Sequence, residues 1–204
     1  MGFIMHCLPR PEPRKARRGG WRLCTLSILS AMLCVSLSCL AASAGFKVLE
    51  ANTQLIDGVH RVHADIAFDF SDEALDALNS GVALTVAVDM QVLQVNRVWD
   101  QQVATVKALF RIQSHALSRQ FVVKDLSTGE STTYPNFVEM AARLGRIDGL
   151  PLLDDHILDA TEQYRVRLRA TLVPESLPTP LRLLAYFSRS WRLSSHWTTW
   201  PLQR

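Results

Sequence analysis

The sequence predicts a mainly β fold: an antiparallel, β-sandwich-like body of about seven or eight strands with two short helices, behind an N-terminal hydrophobic signal or anchor helix. Three observations predict it. Beyond residue 45, apolar and polar residues alternate over long stretches, the period of a half-buried strand. Turn signals such as Asp57-Gly58 join consecutive alternating runs, with no strand–helix–strand rhythm. Ahead of them stands an uncharged apolar run, Leu23–Leu40, behind a basic stretch. A single sheet covered by helices is the alternative arrangement.

Charge and cysteine divide the chain at the same place. Residues 1–44 carry Arg10, Arg14, Lys15, Arg17, Arg18 and Arg22 against the single acid Glu12. The remaining residues hold 16 basic and 18 acidic side chains, so the basic character of the whole chain belongs to its leader. The body therefore lacks the cationic excess that phosphate neutralisation needs, and nucleic acid is not expected as a partner. Cys7, Cys24, Cys34 and Cys39 all precede residue 45, which removes disulfides, thiolate metal sites and cysteine nucleophiles from the body.

The leader reads as an export signal. Ala42 and Ala44 stand two apart, the small-x-small pattern of a signal peptidase site, and cleavage after Ala44 is expected. Residues 45–204 then form one β-rich extracytoplasmic domain. The 18-residue run also reaches the ~17–25 residues of a membrane anchor, with the basic flank inside and the body outside. Lipidation at Cys39 is a third reading; Ser36 stands where a lipobox has leucine. Arg17-Arg18 matches a twin-arginine signal poorly, and Met5 is an alternative start. The body is thus expected in the periplasm, free or held at the inner membrane.

Along the body, Phe46–Ile56 and Val59–Phe70 flank Asp57-Gly58 as a hairpin whose turn residues both favour positive φ. Val62, Ala64, Ile66, Phe68 and Phe70 share one face of the second strand. Ser71 caps a short helix whose first turn carries Asp72 and Glu73, where the helix dipole favours acids; Asn79-Ser80-Gly81 ends it. Val82 to Val92 alternate as a long strand, residues 96–102 turn, and Val106, Ala108, Phe110 and Ile112 mark the next strand. Leu117–Leu126 and Ser131–Tyr134 form a hairpin around Ser127-Thr128-Gly129-Glu130. Asn136 with Glu139 resembles a capping box for a helix over 137–144 that Gly145 stops. Residues 146–163 read as a loop and Tyr164–Leu172 as a clear strand. Leu181–Phe187 is ambiguous between helix and strand, and Trp191–Trp200 is the last strand.

No catalytic constellation stands out. His60 and His63 lie three apart on a strand, hence on opposite faces, and do not chelate together. Asp154, Asp155, His156 and Asp159 lack the spacing of a calcium loop and read as a solvated acidic loop. Ser195 and His196 are strand neighbours on opposite faces, and neither a nucleophile elbow nor a phosphate-binding glycine loop occurs. No metal, cofactor or catalytic residue is predicted. The binding candidates are a ladder of Arg165, Arg167 and Arg169 on one strand face, able to hold carboxylates or a headgroup, and the aromatic C-terminus. There Trp191 and Trp197 have one parity and Trp200 the other; Trp99 in a turn is a weaker candidate. The bland reading pairs the arginines with acids on adjoining strands and buries at least two tryptophans.

An ordered set of short motifs adds a resemblance: Gly81-Val82-Ala83-Leu84, His115 to Gln120, Tyr164-Arg165-Val166-Arg167, Leu177 to Leu181, and Trp191 to Trp197. Over roughly residues 48–200 the chain resembles exported proteobacterial proteins grouped as domain of unknown function 4390. The resemblance implies a signal or anchor followed by one domain, with no assigned activity, cofactor or catalytic residue. It also implies genes that often adjoin a membrane sensor histidine kinase. The expected function is a non-enzymatic envelope module that binds a protein partner, an inner-membrane sensor kinase being one candidate. The alternative is a small-ligand or lipid-binding module with the arginines and C-terminal aromatics lining a cleft between sheets. Membrane contact would come through the N-terminal segment if uncleaved. N-terminal sequencing of the mature protein separates the leader readings: Gly45 at the terminus is the result expected of cleavage and excludes both anchors.

Overall fold

The computed structural model describes residues 44–115 and 117–203, and the leader with Ala42 lies outside them. The first hairpin forms as its turn dictates. β1 (Gly45–Ile56) and β2 (Val59–Asp69) pair antiparallel across Asp57 and Gly58, which have φ of 52° and 76°. α1 (Asp72–Asn79) starts at Ser71, whose Oγ accepts from the Ala74 amide at 3.3 Å. Then follow β3 (Leu84–Gln94), β4 (Gln101–His115), β5 (Gln120–Asp125) and β6 (Ser131–Tyr134). α2 (Phe137–Gly145) is capped by Asn136, whose Oδ1 accepts from the Glu139 amide at 2.8 Å, the forward half of the expected box. β7 (Arg146–Asp154), β8 (Tyr164–Leu172), α3 (Thr179–Phe187) and β9 (Thr198–Pro201) complete the described elements, with short 3₁₀ turns between them.

The fold is mainly β, with two antiparallel sheets. One has the order β1-β2-β7 and the other β6-β5-β4-β3-β8-β9. Their apolar faces meet in one core, where Val62, Ile66, Phe68 and Phe70 of β2 join Val86, Val88, Met90 and Val92 of β3 and Val166 and Leu168 of β8. Phe46 packs edge-on against Phe68 and Phe70 with centroids 4.8 and 5.2 Å apart, Phe68 and Phe70 lie tilted at 6.3 Å, and Phe137 of α2 closes edge-on against Phe70 at 5.8 Å. His60 and His63 fall on opposite faces of β2, as their spacing predicts. His60 is fully buried and its Nε2 lies 2.9 Å from Asp155 Oδ1 beyond β7, whereas His63 faces outward near Asp148.

The described residues hold nine strands and three α-helices, more than expected, and three segments differ from the sequence reading. Residues 146–154, expected as loop, form β7. Gly149, at φ 67°, and Pro151 obscure the strand pattern, but β7 is an edge strand with two register irregularities, where a missing amide donor is tolerated. Leu181–Phe187 is helical. The last strand is only four residues long, because Arg189–Trp191 is a 3₁₀ turn and Ser195 diverts the ladder. Its Oγ accepts from the Ala170 amide at 3.0 Å in place of a carbonyl.

Gly145 sets how α2 meets the sheet. A Cβ there would stand 2.1 Å from the Ile66 carbonyl oxygen. Gly145→Ala is expected to lower the unfolding free energy by about 2–3 kcal/mol. Gly129→Ala, in an open turn at φ 79° with nothing within 4 Å, should lose about 1–2 kcal/mol from backbone strain alone. Urea denaturation of both variants checks this, and equal losses would contradict the close approach.

Candidate functional site: a cationic sheet face

Strand alternation dictates what the outer face of the six-stranded sheet carries. In β8, Tyr164, Val166, Leu168, Ala170 and Leu172 are buried, so Arg165, Arg167 and Arg169 point away from the core. Pairing then fixes their neighbours. Arg169 stands beside Asp89 of β3, which faces Lys107 of β4 on its other side; Arg167 stands beside Gln91, and Arg165 beside Leu93. Closer to α3, Thr171 flanks Ala87, and Thr85 flanks Arg111, which faces Lys124 of β5. The face thus collects Lys107, Arg111, Lys124, Arg165, Arg167 and Arg169 from three strands.

Compensation is partial. Asp89 lies 3.6 Å from Lys107 and 3.9 Å from Arg169, one carboxylate between two cations. Asp100, at the foot of β4, lies 3.9 Å from Arg165. The expected pairing with neighbouring acids is therefore present, but two carboxylates serve six cations. Arg111 and Lys124 sit directly opposite each other, a like-charge pair that costs rather than stabilises, and neither has an ion-pair partner among the described residues.

Arg167 is held without a carboxylate. Its Nε donates to Gln91 Oε1 at 2.8 Å and a second guanidinium nitrogen donates to the same oxygen. The Trp197 ring covers it, 4.6 Å from the Arg167 guanidinium carbon and also 4.6 Å from that of Arg169. Around Ala87, Thr85 Oγ1, Thr171 Oγ1 and Arg169 Nε are buried without a hydrogen-bond partner. Such orphaned polar atoms are uncommon inside a fold.

The structure brings Arg165, Arg167, Arg169 and Trp197 together and separates Trp191 from them. Trp191 is a buried core residue in the 3₁₀ turn, so it does not share a face with Trp197 as parity predicts for a continuous strand. Trp200 faces the core side, and its Nε1 donates to Thr53 Oγ1 at 2.8 Å. The arginine ladder faces outward and does not line a cleft between sheets. Trp99 is 77 % exposed in the β3–β4 turn, next in the chain to Asp100, the carboxylate beside Arg165, and has no ring or cation contact with the ladder among the described residues. Sequence reasoning missed Lys107, Arg111 and Lys124, since only the strand order sets them beside the β8 ladder. In the acidic loop, Asp155 serves His60, and Asp159 Oδ1 accepts from the Thr161 amide and hydroxyl at 2.9 and 2.8 Å. A groove of about 630 Å³ lies on the other sheet, between the β1 bulge and α2, lined by Leu49, Ala67, Ala142 and Arg146.

With this geometry in hand, comparison with known families is decisive on one point. A family model described as "Domain of unknown function (DUF4390)" matches residues 43–201. The chain belongs to the DUF4390 family. No curated protein and no solved structure matches it. In this DUF4390 domain the motif Tyr164-Arg165-Val166-Arg167 is thus half core strand and half cationic face, and the Trp191–Trp197 motif supplies one core tryptophan and the cover over the ladder.

If the indole holds the two guanidiniums, Trp197→Ala should lower stability by about 1–2 kcal/mol, and Trp197→Phe by less, since an aromatic face remains. Equilibrium denaturation in urea reads both, and equal losses for the two variants would deny the ring its cationic partners.

Proposed function

We propose that this DUF4390 domain is an exported, non-enzymatic interaction module of the cell envelope. Its outer six-stranded sheet face receives an acidic segment of a membrane protein, with the extracytoplasmic part of a sensor histidine kinase as the leading candidate. The observation that carries the reading is charge segregation: a body with more acids than bases gathers six cations against two carboxylates on one face. Fixed guanidiniums suit carboxylates, because their planar donors are already oriented and lose little freedom on binding. Trp197 adds a rigid aromatic next to arginine, the pairing enriched where binding energy concentrates. The leader supports the envelope address. The residue pattern, which lacks a nucleophile–base pair or a glycine phosphate loop, supports a binding role.

A small-ligand module is the second reading. Its place would be the groove of about 630 Å³ between β1 and α2, within the size range of ligand sites, rather than the arginine face.

The test is crosslinking in intact cells with the full-length, C-terminally tagged chain. One dominant membrane partner is expected. Its capture should fall at least about tenfold for Arg165→Glu/Arg169→Glu and for Arg111→Glu/Lys124→Glu, as for loss of charge-assisted contacts. The second pair leaves Trp197 and its guanidiniums untouched, so a folding defect in the first does not decide the outcome. Capture unchanged by both pairs would reject the face, and no partner above background would turn attention to the groove.

A further inference from the structure

The end of the body that receives the chain from the leader carries a second, different surface. Helix α3 leaves Leu183, Tyr186 and Phe187 exposed at 60, 46 and 86 %. They are spaced three and four apart, so one stripe of the helix is apolar and uncovered. Arginines surround it. Arg182 donates to the Leu177 carbonyl, Arg192 donates to the Tyr186 carbonyl at the helix end, and Arg189 is exposed beyond Phe187. Glu175 is the acid at the stripe itself, and its Oε1 already accepts the Tyr186 hydroxyl at 3.1 Å. α1 packs against the Arg189–Trp191 turn and exposes Asp72, Glu73 and Asp76; no ion pair joins them to Arg189 or Arg192 among the described residues.

Position supplies the second argument. Gly45 pairs with Asp69, and two residues on, Ser71 Oγ donates to the Ser190 carbonyl at 2.7 Å. Gly45 therefore lies within about 15 Å of the residue following Arg189, at ~3.3 Å per strand residue. Only four residues separate it from Leu40, the last of the apolar run, a reach of about 14 Å when extended. A chain held in a bilayer by that run would thus be tethered to the body at Gly45, on the side of the body that carries Ser190 and the end of α3.

We propose that α3 is a lipid-docking helix: in the leader-bearing chain, Leu183, Tyr186 and Phe187 enter the interfacial region of an anionic bilayer while Arg189 and Arg192 meet its phosphates. An amphipathic helix with aromatic and aliphatic residues between arginines has the composition of an interfacial helix, and tethering raises the effective concentration that so small a surface needs. The proposal rests on the leader being membrane-held.

The experiment is hydrogen exchange with mass spectrometry on the full-length chain in nanodiscs, of phosphatidylcholine alone or with phosphatidylglycerol. Co-purification with both kinds of disc reports the tether; α3 exchange reports docking. Amides of residues 181–189 should exchange about fivefold more slowly on anionic discs, the effect of roughly one arginine at an anionic surface, and the difference should vanish at high salt. Phe187→Ser and Arg189→Glu, both at exposed positions, should each abolish the slowing without altering exchange in β3. Equal α3 exchange on the two discs with the tether intact would overturn docking alone. Failure to co-purify with either disc would overturn the tether and the docking with it. Slowing that follows protein concentration rather than lipid charge would assign the stripe to a second copy and overturn the proposal.

Discussion

The burial of β3 on its inner face is the constraint on which the rest of the domain depends. Leu84, Val86, Val88, Met90 and Val92 are all fully buried, each contributing roughly 1.5–3 kcal/mol of transfer free energy. They meet the even-numbered apolar residues of β2 across the core. Because side chains alternate, a slip of one residue would bring Asp89 and Gln91 into that core and expose five aliphatic side chains. The register of β3 against β4 and β8 is thereby fixed. The composition of the outer face follows from it: Asp89 between Lys107 and Arg169, and Gln91 against Arg167, are consequences of core packing.

This dependence explains which parts were legible in the sequence. Strands whose inner residues are apolar without interruption, such as Val62–Phe70 and Tyr164–Leu172, read directly, and so did the Asp57-Gly58 turn and the Ser71 and Asn136 caps, because these rest on local chemistry. β7 did not. Its Gly149 and Pro151 carry the local signature of a loop, and only the vacant edge of β2 makes a strand of them. The C-terminal segment misled in the opposite way. Trp191, Leu193 and Ser195 are buried while Arg192, Ser194 and His196 are exposed, a strand-like pattern made by a 3₁₀ turn and one isolated bridge. Alternation records which residues face the core; it does not record what the backbone does between them.

The candidate face was half legible for the same reason. Three arginines at alternate positions announce themselves within one strand. Lys107, Arg111 and Lys124 lie on two other strands, and their convergence needs the order β5-β4-β3-β8, which no local pattern encodes. Trp197 was visible as a residue but not in its role, since its seat over Arg167 and Arg169 depends on where β9 joins β8. The partition of Trp191, Trp197 and Trp200 into core, outer face and core side shows how little residue type alone decides.

What the core does not explain is the sign of the outer face. Threonine or glutamine at 111, 124, 165 or 169 would satisfy the same strand positions, and opposite charges at Arg111 and Lys124 would stabilise the pairing that like charges weaken. The sheet accepts this cost where its core is most complete, beside a strand buried along its whole inner face. It places there a tryptophan that shields two guanidiniums and leaves three polar atoms unpartnered around Ala87. The Trp197 contact contributes to stability, but the like-charge pair of Arg111 and Lys124 works against it, and the proposed partner surface is the reading that would account for that pair. Under the proposed reading, a carboxylate-bearing partner would relieve the repulsion between Arg111 and Lys124 and would find the outward guanidinium edges of β8 already oriented beside them.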